Sequence, residues 1–381
     1  MNERERILAV ANGEKPDRVP FMLDLSHYFY HKYQKDWDLC HGYAEPEKEL
    51  IDFNRSMGAG FYMPNQAVFF KAHYDSTVKA GAVREIVNGS PEITWTFETP
   101  VGKIERKRRF MQGSYSWAIN KWGVEDEKDL EVLKYAMTHV SYEPLPENYR
   151  AWADYTGDDG VVYLSPGYSA MGHLLHYWMG VENTVYASYD FEDELKDCVD
   201  SINVKIRELI SMLVSEYDAP IICLGDNFSS DVQPRAFFDR WSRDHYEKAF
   251  AIIHEGKRKA AVHIDGKLTG AITMLREAGA DIIDAVTPGT VGGISALEAR
   301  KEADLGKTVL GGELVLSGGI PNELWYERTD MADFEKAVTD WTEIAVSHGA
   351  MIAAAGDQVP PGADEKRIRR MSEIIHALGL Q

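Results

Sequence analysis

Cysteine, long apolar runs and leader-like segments are all scarce in this chain, and each absence excludes a class of protein. Only Cys40, Cys198 and Cys223 occur among 381 residues, and no two of them form a C-x-x-C pair. We therefore expect neither a disulfide framework nor a thiolate metal cage, and we predict a reduced, cytoplasmic setting. No apolar run approaches the roughly twenty residues that span a bilayer, and the start MNERERIL lacks the apolar segment of a secretory signal.

Positive charge is also in deficit. The chain has 41 Lys and Arg against 61 Asp and Glu, a formal net charge of −20. Nucleic acids and anionic membrane surfaces are bound through clustered positive charge, so neither is a predicted partner. No G-x-G-x-x-G or Walker sequence is present, which leaves nucleotide binding unsupported. The remaining partners are small molecules and other proteins, and a homo-oligomer is compatible with the composition.

The clearest structural pattern lies in the stretch 261–288, AVHIDGKLTGAITMLREAGADIIDAVTP. It has an apolar strand, a polar turn, a helix with one apolar stripe, and a second apolar strand. This is a βαβ unit, in which the two strands are parallel. Polar residues follow the first strand at His263, Asp265 and Lys267, at the edge of a parallel sheet where active sites lie.

The same alternation of strand and helix occurs along most of the chain, with eight predicted strands. They are 19–23, 61–63, 161–164, 220–224, 261–264, 281–286, 308–310 and 351–355. The residues between 92 and 122 do not follow this strand–helix pattern. Apolar and polar residues alternate there, and a T-P-V-G turn typical of a β-hairpin lies between them. We therefore predict one (β/α)₈ barrel domain over residues 1–381, an α/β TIM barrel, with a hairpin excursion at about 92–122 between the second and third strands.

Residues just after each predicted strand would converge on one mouth of such a barrel. The candidates are Asp24, His27, Asn65, Asp226, Asn227, His263, Asp265, Glu313, Asp357 and Gln358. Five carboxylates in one pocket are more negative charge than a dry site tolerates, so either a cation neutralises them or some are protonated.

His263 and Asp265 form the sharpest local motif, because residues two apart on a strand face the same side. Imidazole with carboxylates suits zinc or another divalent metal, and the predicted ligands are His263, Asp265, Glu313 and Asp357. A simple hydrogen-bonded His–Asp pair is the alternative. Asp226 is a predicted catalytic residue beside His263 and Asp265, and the alternative for Asp226, as for Asp357, is a helix N-cap.

The other candidates have predicted binding roles. Substrate-binding residues are expected to be Asp24, His27, Asn65, Asn227, Glu313 and Gln358. The basic run Lys103–Arg109, KIERKRR, is interpreted as a solvated face of the hairpin, with binding of a phosphate or a partner as the alternative.

Several segments together resemble the uroporphyrinogen decarboxylase superfamily. They are ILAVANGEKPDRVPF, TPVGKIERKRRF followed by EDEKDLEVLKY, LGDNF, the stretch 263–288 and the closing GDQVPPGAD. The resemblance extends over nearly the whole chain and implies a (β/α)₈ barrel with its site at the C-terminal mouth. That superfamily includes a heme-pathway decarboxylase and methyltransferases that act with cobalamin (corrinoid) proteins.

Two departures narrow what the resemblance implies. A decarboxylase would have an arginine-rich segment after the first strand, where this chain reads MLDLSHYFYHKYQ. A zinc-dependent thiol methyltransferase would have His-x-Cys and a further cysteine near the last strand, where this chain has His263-Ile-Asp265 and Gly356-Asp357. The resemblance thus favours a methyltransferase that takes a methyl group from another donor and passes it to a corrinoid protein carrying cobalamin. The expected donor is a methoxylated aromatic, by O-demethylation, with a methylated amine as the alternative. The alternatives are a porphyrinogen decarboxylase and a non-catalytic barrel that binds a small molecule.

Overall fold

A ring of eight parallel segments forms the centre of the protein. The computed structural model describes residues 1–380. Six strands form one parallel sheet in chain order: β7 (Leu164–Gly167), β8 (Ile221–Phe228), β9 (Lys259–Ile264), β10 (Ile282–Val286), β11 (Val315–Gly319) and β12 (Met351–Ala354). Residues 20–23 and 60–62 complete the ring through the parallel bridges Phe21–Ala353, Met22–Gly60 and Phe61–Gly160. The predicted (β/α)₈ barrel is thereby confirmed.

Helices surround this ring and close its ends. Their bounds are α1 Glu3–Ala11, α2 Ser26–Lys32, α3 Lys48–Ser56, α4 Glu127–Thr138, α5 Pro146–Thr156, α6 Ala170–His173, α7 Val181–Asp190, α8 Glu192–Glu216, α9 Arg235–Trp241, α10 Arg243–Glu255, α11 Ala271–Ala278, α12 Ala296–Ala303, α13 Met331–His348 and α14 Glu365–Leu378. A π-helical turn, Leu174–Trp178, continues α6. Within residues 1–380, none of the helices combines the length and apolar character that crossing a membrane requires.

The excursion is larger than the predicted hairpin. It is a four-stranded antiparallel sheet of β2 (Lys79–Val87), β3 (Ser90–Thr99), β4 (Gly102–Met111) and β5 (Ser116–Lys121). A separate antiparallel pair, β1 (Phe70–Tyr74) with β6 (Val140–Pro144), connects it to the barrel. The prediction began at residue 92 because β2 is mostly exposed and lacks the apolar alternation that marks β3.

One predicted strand is wrong. Residues 308–311 form a turn closed by a hydrogen bond from the Gly311 amide to the Thr308 carbonyl, and Val309 and Leu310 are exposed. The strand is instead β11, five residues further on, where every residue is buried. This shift moves Glu313 from the end of a strand to the position before its start.

The barrel interior follows the two-residue period of its strands. A buried cluster inside the ring contains Met22, Tyr62, Val161, Tyr163, Ile221, Cys223, Ala261, Ile282, Val315 and Ile352, and α1 contributes Ile7, Val10 and Ala11. Every second residue after Cys223, Ala261 and Ile282 faces the interior as well. This count places Asn227, His263 and Asp284 inside the ring, near the C-terminal ends of their strands. Asp226 falls on the outward face, toward the helices.

Candidate active site

A cavity of about 530 Å³ opens at the C-terminal ends of the strands. Its polar lining residues include Asp24, Asn65, Ser165, Asn227, His263, Asp265, Asp357 and Gln358. Aromatic residues line the rest, with Tyr62, Phe69, Tyr163, Tyr168 and Tyr177 among them. This volume suits a small organic substrate, and most of the predicted binding residues meet around it.

His263 is held between two carboxylates at the centre of the cavity. Its Nδ1 lies 2.9 Å from Asp284 Oδ2, and its Nε2 lies 3.5 Å from Asp357 Oδ1. Burial by itself lowers the pKa of His263, but Asp284, Asp357 and Asp265 outweigh burial and raise that pKa to about 9. His263 is therefore an imidazolium at neutral pH, with its Nε2–H directed into the cavity.

Asp284, the partner of His263 Nδ1, is a candidate site residue that the sequence prediction missed. Its side chain is fully buried, and its second oxygen accepts a hydrogen bond from the Ser317 hydroxyl at 3.2 Å. The next residue, Ala285, has φ +66° and lies where the register between β10 and β11 shifts. Irregularities of this kind redirect side chains beside active sites. The available signal was a carboxylate inside the apolar run IIDAV, two residues after the inward-facing Ile282.

Asp357 differs from Asp284 in its surroundings. Burial raises the pKa of Asp357 to about 6, with His263 acting to lower it and Asp265, Asp24 and Asp284 acting to raise it. Asp357 thus changes charge close to neutral pH. Asp265 lines the same cavity, and its carboxylate acts to raise the pKa of both His263 and Asp357.

A second polar network forms the wall opposite His263. Asp24 accepts hydrogen bonds from the Ser26 amide at 2.9 Å, from the Ser26 hydroxyl at 2.6 Å and from Asn65 Nδ2 at 2.7 Å. Burial raises the pKa of Asp24 despite these bonds. The amide of Asn65 is thereby held in a fixed orientation at the cavity wall.

Three buried polar atoms around the cavity have no hydrogen-bond partner within residues 1–380. They are the Tyr163 hydroxyl, the Gln358 Oε1 and the His173 Nδ1. Burial lowers the pKa of His173 to about 4, so this imidazole is neutral. An unsatisfied buried polar group costs about 1–3 kcal/mol, and a substrate with matching polar groups would recover part of that cost.

Three predicted site residues lie elsewhere. The Asp226 side chain is fully buried on the outer face of β8, where it accepts from the Ser169 amide and the Tyr246 hydroxyl at 2.6 Å each. Glu313 lies before β11, at the opposite end of the barrel, 3.1 Å from Lys307. Asp226 was misplaced because alternate residues of β8 face opposite sides of the barrel wall. Glu313 was misplaced because its strand was predicted at 308–310 instead of at β11. His27 is adjacent to the mouth, but its Nε2 hydrogen-bonds the Tyr115 carbonyl at 2.7 Å and its ring packs on Trp37.

The predicted metal ligands do not form a metal centre. Glu313 is at the far end of the barrel, and the two ring nitrogens of His263 face Asp284 and Asp357. Residues 1–380 contain no group of three or more His, Cys, Asp or Glu side chains placed to hold a metal ion. The predicted set of four zinc ligands is therefore not assembled in the described part of the chain.

The fold and the site define a (β/α)₈ barrel with acid–base groups and an aromatic wall at its C-terminal mouth. Residues 168–378, more than half of the chain, match the sequence model of the family described as Uroporphyrinogen decarboxylase (URO-D). The chain belongs to this family. Comparison with curated protein sequences gave no match.

Two solved structures are similar to this chain at low sequence identity, and only the first, with a TM-score of 0.63, supports a shared fold. A methyltransferase from Methanosarcina mazei is similar over 99% of both chains, with 13% identity and a TM-score of 0.63. Dispersin B is similar over 96% of this chain and 99% of its own, with 12% identity and a TM-score of 0.37. At such identities the likeness concerns the fold.

Proposed function

We propose that this protein takes a methyl group from a methoxylated aromatic donor and transfers it to a corrinoid protein. The observation that carries this proposal is the His263 imidazolium, held by Asp284 with its Nε2–H toward the cavity. The methyl group of an aryl ether leaves behind a phenolate, which needs a proton or an equivalent positive charge. An acid with a pKa of about 9 is close to an ordinary phenol, with a pKa of about 10.

The chemistry of this chain's residues then follows from their positions. The C–O bond of the donor breaks, its electron pair stays on oxygen, and His263 delivers the Nε2 proton to that oxygen. Asp284 holds the ring in orientation and stabilises its positive charge before the transfer, as the carboxylate partner of a catalytic histidine does. The aromatic side chains Tyr62, Tyr163 and Tyr168 offer ring faces and edges to a planar donor.

The methyl group needs an acceptor that the chain itself does not provide. A corrinoid carried by a partner protein would supply the nucleophile that accepts the methyl group. The cavity opens at the barrel mouth, where such a partner could approach a bound donor. The fold shared with the Methanosarcina methyltransferase supports this reading, and so does the absence of arginine from 22–34, MLDLSHYFYHKYQ.

The test measures methyl transfer by the purified protein to a reduced corrinoid protein from a panel of methoxylated aromatic compounds. His263→Gln should lower the transfer rate by at least about a hundredfold, the scale of a lost general acid. The matched control is His254→Gln. His254 also pairs with an aspartate, Asp281, at 2.8 Å, but at the opposite end of the barrel. Transfer retained in His263→Gln, or lost equally in His254→Gln, would contradict the proposal.

Decarboxylation of a porphyrinogen is the second candidate, favoured by the family match itself. The same purified protein should be assayed for carbon dioxide release from uroporphyrinogen. Release that depends on His263 would assign the site to decarboxylation, and the methyltransferase proposal would then be rejected.

A further inference from the structure

The two faces of strand β4 differ in how their charges are balanced. On the outer face, Glu105 pairs with Lys121 at 3.0 Å. Arg109 and Lys107 on the same face both pair with Glu92, at 2.7 and 3.7 Å. The alternating residues Arg106 and Arg108 point toward the barrel, and neither has a carboxylate within 4.0 Å among residues 1–380. The basic run is therefore solvated and paired on one face only.

Arg106 is buried without satisfying its hydrogen-bond donors. It is only 7% exposed, and its Nε and Nη1 have no partner in the described part of the chain. The guanidinium carbon lies 4.1 Å from the Trp95 ring, 4.8 Å from Tyr177 and 5.1 Å from Trp178. Burial and the nearby charge of Arg108 lower the pKa of Arg106, because both disfavour its charged form.

Arg108 meets Arg106 on the same aromatic ring. Its guanidinium carbon lies 4.6 Å from the Tyr177 ring, and its Nη2 donates to the His176 carbonyl at 3.2 Å. Its Nε is buried and unpartnered within the described residues. Two like charges thus converge on Tyr177, each with free N–H donors.

This arginine pair lies beside the cavity that contains His263. Arg106 and Arg108 line an adjoining space of about 430 Å³, together with Trp37, Trp95 and Trp117. Asn65, Tyr177 and Gln358 line both spaces, so the two are neighbours across these three side chains. A planar ligand lying against Tyr177 could reach both the arginines and the mouth.

Aromatic contacts alone do not compensate for this burial. A cation–π contact stabilises a cation only modestly, whereas burying a charge without a counter-ion is far more costly. An anion bound in the adjoining space would lie beside both guanidinium groups and offset their two positive charges. The planar fork of a guanidinium matches a carboxylate in particular.

We propose that Arg106 and Arg108 bind the carboxylate of the donor, which makes the substrate class methoxylated aromatic carboxylates. The identification of this ligand as the methyl donor rests on the proposed function, while the anion site rests on the arginines. The donor's ring lies against Tyr177, its carboxylate faces the arginines, and its methoxy group extends toward His263.

The test is a calorimetric binding measurement on the purified protein without any corrinoid protein. 3-Methoxybenzoate is compared with 3-methoxybenzamide, which has the same shape and no charge. A net gain equivalent to one charge-assisted hydrogen bond is about 1.5–3 kcal/mol, so the carboxylate should bind about ten- to a hundredfold tighter than the amide. In Arg108→Gln that ratio should fall to about one while the amide's affinity is unchanged.

Two further variants keep the test decisive. Arg106→Lys retains the charge but not the fork, and it should lose most of the ratio; urea unfolding checks that it folds. Lys107→Gln removes one positive charge from the outer face of the same strand and should keep the full ratio. Equal affinities in the wild type, or the same loss in Lys107→Gln, would overturn the proposal.

Inorganic phosphate distinguishes the other source of an anion. Displacement of 3-methoxybenzoate by phosphate at equal concentration would indicate a site for phosphate and would reject the carboxylate donor. A preserved binding ratio with no methyl transfer from any carboxylate donor would leave the anion site standing and reject the proposed function. Methyl transfer only from neutral donors would support the proposed function and reject the arginines as the binding site of the donor.

Discussion

Replacing Asp284 by asparagine should uncouple His263 from its charge while keeping the shape of the site. Asn has nearly the volume of Asp and can still accept a hydrogen bond from the Ser317 hydroxyl or face His263 Nδ1. The carboxylate charge, which lies 2.9 Å from Nδ1, is lost. Burial still acts to lower the pKa of His263, and only Asp357 and Asp265 remain to raise it, so that pKa should fall well below 9.

The structure sets the size and sign of the effect. The folded-state pKa of about 9 is above the unfolded value of 6.5, so protonated His263 stabilises the fold. One pKa unit corresponds to about 1.4 kcal/mol, which makes this contribution on the order of 3 kcal/mol. The contribution is fully present below pH 6.5 and is lost as pH rises through 9. Between pH 7 and pH 9 the wild type should lose roughly 2 kcal/mol that Asp284→Asn does not lose.

The assay is urea unfolding at pH 7, 8 and 9, followed by tryptophan fluorescence. Taking the difference between the two proteins removes every group that both titrate in common. His263→Gln is the matched control and should show the same flat response as Asp284→Asn. Parallel pH dependence in the wild type and both variants would refute the idea that Asp284 keeps His263 charged.

Three other substitutions test the placement of single residues. Asp226→Ala should lower the free energy of unfolding by about 1–3 kcal/mol for each of the two donors left unpaired, Ser169 N–H and the Tyr246 hydroxyl, in a urea titration; an unchanged urea midpoint would contradict this structural role. Glu313→Gln should leave donor binding and methyl transfer unchanged and alter stability by less than about 1 kcal/mol, because its partner Lys307 is exposed; a loss of activity would mean that Glu313 reaches the mouth. Tyr163→Phe should leave stability equal or slightly higher, since its buried hydroxyl has no partner among the described residues, and it should weaken donor binding in calorimetry if that hydroxyl contacts the substrate.

The barrel could be predicted from sequence because its signal is repeated. Each strand–helix unit contributes an apolar run, a stop and an amphipathic stripe, so one misplaced strand among eight does not change the architecture. The error at 308–310 arose because T-V-L and L-V-L are both short apolar runs beside glycines. Only burial separates them: Leu310 is 56% exposed, and Leu314 is fully buried.

The site was harder to predict because it depends on parity within each strand. Asp226 and Asn227 are adjacent in sequence, yet one faces the helices and the other lines the cavity. Counting two residues at a time from Cys223 would have separated them, provided that Cys223 was known to face inward. Counting two residues on from the inward-facing Ile282 would likewise have identified Asp284 as facing the cavity. Two of the aromatic residues around Arg106, Tyr177 and Trp178, could not be predicted, since they come from the π-helical turn 174–178 and depend on how the excursion packs.

The charge balance at the mouth connects these observations. The sequence predicted five carboxylates, which a closed pocket accommodates only with a cation or with protonation. Two of the five, Asp226 and Glu313, lie outside the cavity, and Asp284 joins Asp24, Asp265 and Asp357 around it. The protein supplies its own cation in His263, and the raised pKa values of Asp24 and Asp357 reduce the remaining negative charge. Asp265 and Asp357, two of the carboxylates that argued for a metal, thus join Asp284 in holding a proton on His263. The proposed release of a phenol requires a proton held in this way beside an aromatic wall.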